Sequence, residues 1–237
     1  MPEYSGNAKE EGRKFKKFAD EHHVKFPQGH LWLNCKICDK DRKHVIDTLK
    51  SWIDLFNEIG IKRAVLHCDG ESFPNETSVE EKYEANISVL TEIAEYLKGT
   101  DMVICIENLV EFTYTADELL KIVNAVDSDN IGICLDTGHL NLTLKNQEEF
   151  IKKAGKHLKA LHIADNEGNA DQHMMPFGRG NVDFCKVMQA LKEVKYDGLF
   201  NLEIPGERNC PVEVRRYKID YIKNVYEYLL KTVEENV

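Results

Sequence analysis

Long apolar runs are absent from this 237-residue sequence, and so is an apolar leader. No stretch approaches the roughly 18 consecutive apolar residues that a membrane helix requires. The first residues, MPEYSGNAKEEGRKFKKF, are polar and charged, whereas a secretory signal needs an apolar core. We therefore expect a cytoplasmic protein. Because 42% of the residues are hydrophobic and no low-complexity linker divides the chain, we also expect one domain, residues 1–237, with a sizeable core.

Basic residues are fewer than acidic ones, and the cysteines do not form a disulfide pattern. Asp and Glu number 41 against 31 Lys and Arg, which gives a formal charge of −10. Proteins that bind duplexes neutralise phosphates with Lys and Arg, so this balance argues against nucleic acid as the main partner, although net charge does not report on a local basic groove. Seven cysteines cannot all pair. Cys35 and Cys38 form a lone C-x-x-C, which is weak evidence for zinc or redox chemistry, and we interpret it as a coincidence.

The order of the segments predicts a parallel sheet covered by helices. Short apolar runs alternate with amphipathic stretches, as expected for strands that are buried on both faces. No G-x-G-x-x-G follows a strand, so the dinucleotide-binding open sheet lacks its usual sign. The predicted strands cover residues 24–32, 62–68, 102–108, 131–139, 158–165 and 198–206. The predicted helices cover residues 8–22, 40–59, 78–98, 115–127, 146–156, 182–195 and 211–233, and a capping box begins at Thr115.

The two faces of the predicted strands differ in side-chain size. Counting back in twos from Glu107 gives Cys105 and Val103, and the other strands also carry mostly small residues on this face. The opposite face carries Ile, Leu and Met. An α/β barrel of the TIM type, small inside and bulky towards its helices, fits this asymmetry better than an open sheet does.

The strand count points to an incomplete barrel. A complete TIM barrel has eight strands, so six visible β/α units predict a barrel that lacks its first one or two strands. Soluble proteins seldom leave strand edges unpaired. We therefore expect the opening to be covered by residues 1–22 or by a second copy of the chain, which would make a homodimer.

Ionisable side chains stand at or near the C-terminal ends of all six predicted strands. In parallel α/β folds, active sites are built at this edge. One such residue is usually only a hydrogen-bonded loop side chain, but six converging on one rim predict a metal ion. Carboxylate oxygens mixed with imidazole nitrogens suit Mn²⁺, Mg²⁺, Co²⁺ or Zn²⁺, and the lack of cysteine at these positions argues against a closed structural zinc site. The six residues are His30, His67, Glu107, Asp136, His162 and Glu203, and the loops add His139, Asp165, Asp171 and His173.

Five segments in order resemble the xylose isomerase-like barrel superfamily, and most closely its sugar phosphate isomerase/epimerase proteins. They are IENL at 106–109, CLDTGH at 134–139, LHIADNEG at 161–168, DQHMMPFGRGNVDF at 171–184 and NLEIPG at 201–206. The resemblance implies a divalent metal ion held by Glu107, Asp136, His162 and Glu203. It also implies that His139 contacts a ligand residue or the substrate, with Asp171 and His173 near the site.

The resemblance further implies a reaction on a small sugar or sugar phosphate. In such enzymes one of the two glutamates, here Glu107 and Glu203, removes the proton beside a carbonyl, and the other helps to return a proton. The metal ion stabilises the enediolate that forms between these steps. Isomerase, epimerase and dehydratase chemistry on this scaffold would share the same ligands.

Two other functions remain open at the level of sequence. An apurinic-site endonuclease of the same superfamily uses several metal ions, and the candidate residues also resemble that larger set, which is His30, His67, His139, Asp171 and His173 beside the four ligands above. The acidic charge argues against it. Arg179 and Arg208 are the main basic residues after the strand ends, and either could hold a sugar phosphate. The third alternative is a non-catalytic barrel remnant.

Overall fold

A parallel β-sheet of five strands lies at the centre of the protein. The structure, a computed structural model, describes residues 7–33, 35–205 and 209–234. The strands are β1 (Gln28–His30), β2 (Arg63–His67), β3 (Val103–Glu107), β4 (Ile131–Asp136) and β5 (Leu158–His162). They lie side by side in sequence order, and every pairing is parallel.

The sheet curls into half of a TIM-type barrel. β1 and β5 are its two outer strands, yet the side-chain amide of Gln28 donates a hydrogen bond to the Leu161 carbonyl across the opening at 3.0 Å. The rings of His30 and His162, at the ends of these two strands, have centroids 5.8 Å apart. The predicted α/β barrel with strands missing is therefore confirmed.

Helices follow the strands and cover the outside of the sheet. The seven predicted helices are all present, within two residues of their expected bounds. The predicted capping box begins α4, where the Thr115 hydroxyl accepts a hydrogen bond from the Glu118 amide at 3.1 Å. The helices are α1 (Ala8–Glu21), α2 (Arg42–Ile59), α3 (Val79–Leu97), α4 (Ala116–Val126), α5 (Thr137–Leu142), α6 (Gln147–Ala154), α7 (Phe184–Glu193) and α8 (Val212–Glu234).

Four predicted strands are clearly longer than the strands of the structure. The predicted strands 24–32 and 158–165 shorten to Gln28–His30 and Leu158–His162. The predicted strand 131–139 ends at Asp136, because the Asp136 carboxylate accepts a hydrogen bond from the His139 amide at 2.7 Å and caps the short helix α5. The predicted sixth strand, 198–206, is only a bridge between Leu202 and Ile163. At the start of this segment the Leu199 carbonyl accepts a hydrogen bond from the Tyr196 hydroxyl. Gly206, at its end, lies outside the described residues.

The apolar core is divided by the sheet into two clusters. The outer cluster lies between the strands and the helices and contains the bulky strand residues, among them Ile104, Ile106 and Leu161. The inner cluster consists of Val65, Val103, Cys105, Cys134 and Ala160, all buried. The structure therefore confirms the expected barrel interior of small side chains. This interior leaves the strand ends as the place where large polar groups meet.

The amino-terminal helix lies outside the sheet, against α2. Gly12 allows this close approach, because a Cβ there would lie 2.8 Å from the Leu55 carbonyl oxygen. The described part of this segment, residues 7–22, thus packs against α2, and coverage of the opening by residues 1–22 or by a second copy stays a prediction. Gln28 and the segment around Leu202 stand at the two edges. Among the described helices, none combines the length and apolar character needed to cross a membrane.

Candidate metal centre

Each of the five strands ends on a residue that can bind a metal ion. The last residues are His30 in β1, His67 in β2, Glu107 in β3, Asp136 in β4 and His162 in β5. Parallel pairing aligns these ends, so that His67 lies opposite Glu107 and Asp136 lies opposite His162. All five side chains therefore stand on one rim of the half-barrel.

Four residues form the most buried group on this rim. Glu107, Asp136, His162 and Glu203 each offer one ligand atom, and these atoms lie within 4.8 Å of one another. His162 Nδ1 is 3.0 Å from Glu107 Oε1 and 2.8 Å from Glu203 Oε2. Glu203 reaches the rim because its amide donates to the Ile163 carbonyl, which fixes this segment beside β5.

Two carboxylate oxygens in this group lack a hydrogen bond. Asp136 Oδ2 and Glu203 Oε2 are buried without a hydrogen-bond partner among the described residues, although Glu203 Oε2 lies close to His162 Nδ1. Leaving buried carboxylate oxygens unpaired is costly. The donor set, three carboxylates and one imidazole, therefore fits a divalent cation.

The pKa values of Glu107, His162 and Asp136 depend on burial and on one another. Burial alone would raise the pKa of Glu107, but the neighbouring His162 outweighs burial and holds the Glu107 pKa well below its ordinary value. Burial likewise opposes protonation of His162, yet Glu107 raises the His162 pKa to about 11. Burial raises the pKa of Asp136 to about 7. Without a metal ion, a protonated His162 supplies the positive charge that the carboxylates require.

A second group, of three residues, also contains Glu107. His30, His67 and Glu107 bring their ligand atoms together on the side of β1 and β2. His30 Nδ1 donates to the Leu31 carbonyl at 2.9 Å, which directs Nε2 inward. His30 Nε2 is then 3.1 Å from His67 Nε2 and 3.4 Å from Glu107 Oε2. This trio could hold another cation beside the first group.

His139 and His173 face Asp171 on the other side. Each imidazole donates through Nδ1 to a carbonyl, His139 to Asn108 and His173 to Glu203, both at 3.0 Å. Their Nε2 atoms lie 3.5 Å and 3.0 Å from Asp171 Oδ2. Burial would lower the pKa of His139, but the carboxylates of Asp136, Glu107 and Asp171 together outweigh it and raise that pKa. Carbonyl hydrogen bonds of this kind orient the imidazole ligands of metal sites.

Three other candidate residues stand apart from these groups. Asp165 is buried, and its carboxylate accepts hydrogen bonds from the amides of Asn166 and Val182, so it organises the following loop. The Arg179 side chain is 76% exposed and lies 3.7 Å from Glu167. Arg208 lies outside the described residues.

A buried asparagine that our sequence reasoning did not single out supports the site. The Asn108 side chain accepts a hydrogen bond from the Asp136 amide at 2.7 Å and donates to the Asp136 carbonyl at 3.1 Å. Its own carbonyl accepts the hydrogen bond from His139. The available signal was its position, because a buried amide directly after a strand-end glutamate needs partners on the neighbouring strand.

The chain belongs to the family described as xylose isomerase-like TIM barrel, which it matches over residues 2–225. Among solved structures, a D-tagatose 3-epimerase-like protein is 26% identical with a TM-score of 0.80 and is covered over 84% of its length by 95% of this chain. The structure of an L-ribulose 3-epimerase superposes with a TM-score of 0.75 at 18% identity, which shows the fold, over 99% of this chain and 82% of that one.

Protein relatives include both isomerases and nucleases. An uncharacterized protein of Methanocaldococcus jannaschii is 31% identical over 80% of this chain, which spans 66% of that relative's length. An inosose isomerase of Bacillus velezensis is 24% identical over 83% of this chain and 68% of its own length. A probable endonuclease 4 of Mesomycoplasma hyopneumoniae is 30% identical over 70% of this chain and 64% of its own length. Sugar epimerases and isomerases are thus prominent among the similar proteins.

Proposed function

We propose that this protein is a metal-dependent isomerase or epimerase that acts on a small sugar or sugar phosphate. The observation that carries the proposal is the group of Glu107, Asp136, His162 and Glu203, in which two buried carboxylate oxygens lack hydrogen bonds. A divalent ion bound there would stabilise negative charge on a substrate oxygen. The similarity to sugar epimerases and to an inosose isomerase supports the same reaction class.

The two glutamates supply the acid–base chemistry in this proposal. Neighbouring His162 lowers the pKa of both Glu107 and Glu203 against the opposing effect of burial, which keeps both carboxylates ionised and able to accept a proton. The Glu203 side chain is 37% exposed, whereas that of Glu107 is 1% exposed. We therefore assign removal of the substrate proton to Glu203. Glu107 starts ionised, so it returns a proton to the substrate only after it has taken one up, while Glu203 releases the proton that it accepted.

Solvent exchange tests this assignment directly. The purified protein with Mn²⁺ should exchange the carbon-bound hydrogen beside the carbonyl of a ketose or ketose phosphate for deuterium from D₂O. Glu107→Gln and Glu203→Gln should each reduce this exchange by ~10²-fold or more, as expected for loss of a general acid or base. Glu95→Gln, an exposed carboxylate in the last turn of α3, at the opposite end of that helix from the loop after β2, is the matched control and should retain the wild-type rate. Full exchange in the Glu203 variant would refute its role.

A second candidate function is phosphodiester hydrolysis at abasic sites. It is favoured by the His30–His67 pair on one side of Glu107 and by the Asp171 pair of histidines on the other, because a row of cations suits phosphate chemistry. Cleavage of an abasic duplex without deuterium exchange would establish it in place of the first. A metal-loaded protein that shows neither activity would favour a non-catalytic barrel. Cytoplasmic residence and a homodimer stay predictions.

A further inference from the structure

A cavity of about 600 Å³ opens beside the proposed metal centre. It lies over the ends of β2 and β3, and His67 forms part of its wall. The wall also includes Phe112, which packs closely against Gly70, since a Cβ on Gly70 would lie 2.7 Å from the Phe112 Cβ. A substrate whose reacting carbon lies at Glu107 and Glu203 would extend its remaining atoms into this space.

Both lysines of the cavity wall and two of its carboxylates already have partners. Lys36 lies 3.7 Å from Glu71, and Lys82 donates to the Gly70 carbonyl at 2.9 Å. The Asp69 carboxylate accepts hydrogen bonds from three backbone amides, those of Cys38, Glu71 and Ser72. Among the described lining residues, three carboxylates, those of Asp69, Glu71 and Glu111, stand against these two lysines. A phosphate would meet a wall of net negative charge with no unengaged cation.

The outer wall of the same cavity is apolar and open to solvent. Leu33, Val79 and Val110 line it with exposed fractions of 54%, 57% and 40%. Leu109 and Phe112 continue this apolar surface inward. Binding sites for small molecules combine such apolar walls with a few polar groups that orient the ligand.

We infer that the substrate is an uncharged sugar bearing an apolar substituent, such as an alkyl or aryl group, and not a sugar phosphate. The reacting carbon lies at the metal centre, and the substituent lies against Leu33, Val79 and Val110. This inference rests on the proposed function for the position of the reacting carbon. It narrows the substrate class by the charge and polarity of the adjoining cavity.

Calorimetric titration of the Mn²⁺-loaded protein tests the inference without relying on turnover. The probes are 6-O-methyl, 6-O-propyl and 6-O-hexyl fructose, which keep the ketone, with fructose 6-phosphate for comparison. Affinity should rise by about two- to fourfold per added methylene while the chain remains on the apolar wall. Leu33→Asn and Val110→Thr should flatten this increase. Leu144→Asn, an exposed leucine outside the cavity, is the control for the first variant and should leave the increase unchanged.

The outcomes separate this inference from the proposed reaction. Tighter binding of fructose 6-phosphate than of 6-O-methyl fructose, or affinities that do not depend on chain length, would overturn the inference even if deuterium exchange occurs with sugars. Chain-length-dependent binding that both cavity variants weaken would support it. The same binding without exchange in any sugar tested would overturn the proposed reaction and leave the apolar subsite standing. Binding of none of the four probes would overturn the inference as well.

Discussion

Replacing Asn108 with alanine should destabilise the protein more than its one side chain suggests. The Asn108 side-chain amide forms hydrogen bonds with both the backbone N–H and the backbone carbonyl of Asp136, in a fully buried position. Alanine would leave two buried backbone groups without partners, and each such group costs about 1–3 kcal/mol. The free energy of unfolding should therefore fall by about 2–6 kcal/mol, a large part of the roughly 5–15 kcal/mol typical of a domain.

Urea denaturation of the metal-free protein measures this loss. The midpoint should fall while the slope with urea stays constant, because the same surface is exposed on unfolding. Asn130→Ala is a matched control. The Asn130 side chain likewise makes two hydrogen bonds to the backbone, to the carbonyls of Met102 and Thr100, but it is half-buried before β4, where water can replace it. We expect about 1 kcal/mol or less there. An Asn108 variant no less stable than the Asn130 variant would refute the argument that Asn108 holds Asp136 in place.

Metal binding and pH provide two further predictions. Addition of Mn²⁺ or Zn²⁺ at 100 times its dissociation constant should raise the free energy of unfolding by about 2.7 kcal/mol, and Asp136→Asn should remove most of this increase in thermal melts with and without chelator. In the metal-free protein, the His162 pKa is raised to about 11 in the folded state, so its stabilising contribution is complete below the ordinary histidine pKa of about 6.5 and is lost as the pH rises towards 11. His162→Gln should flatten the fall in stability over that range in urea titrations, and a variant with the wild-type slope would contradict the coupling of His162 with Glu107.

Periodicity predicted the helices and the inner face of the strands, because both depend on local spacing. The six-residue helix α5 was missed, since Asp136 is at once the last residue of β4 and the cap of α5, and the pattern of the strand continued past it. The sixth strand was expected in full because its composition suits a strand. Only contacts distant in sequence determine that Leu202 alone forms a bridge, with Ile163 directly after β5.

The site could be predicted as a set of residues but not as a geometry. Strand-end positions identified the side chains that now surround Glu107. Their division into two flanking sets depends on ring orientation, which is fixed by carbonyls such as those of Leu31 and Asn108. Those carbonyl contacts leave no mark in residue type. The position of the Arg179 side chain could not be predicted either, because its pairing with Glu167 is set by the path of the loop.

A residue that can bind a metal ion stands at the last position of each of the five strands, so in the proposed function cation binding would report on correct strand pairing. Side chains alternate between the two faces, so a slip of one residue in β3 would present Ile106 to the rim in place of Glu107. A chain that pairs its strands wrongly would thus lose the residue common to both candidate groups. If these groups hold metal ions as proposed, ions present during folding would favour the correctly paired sheet, and the yield of correctly folded protein would depend on metal supply.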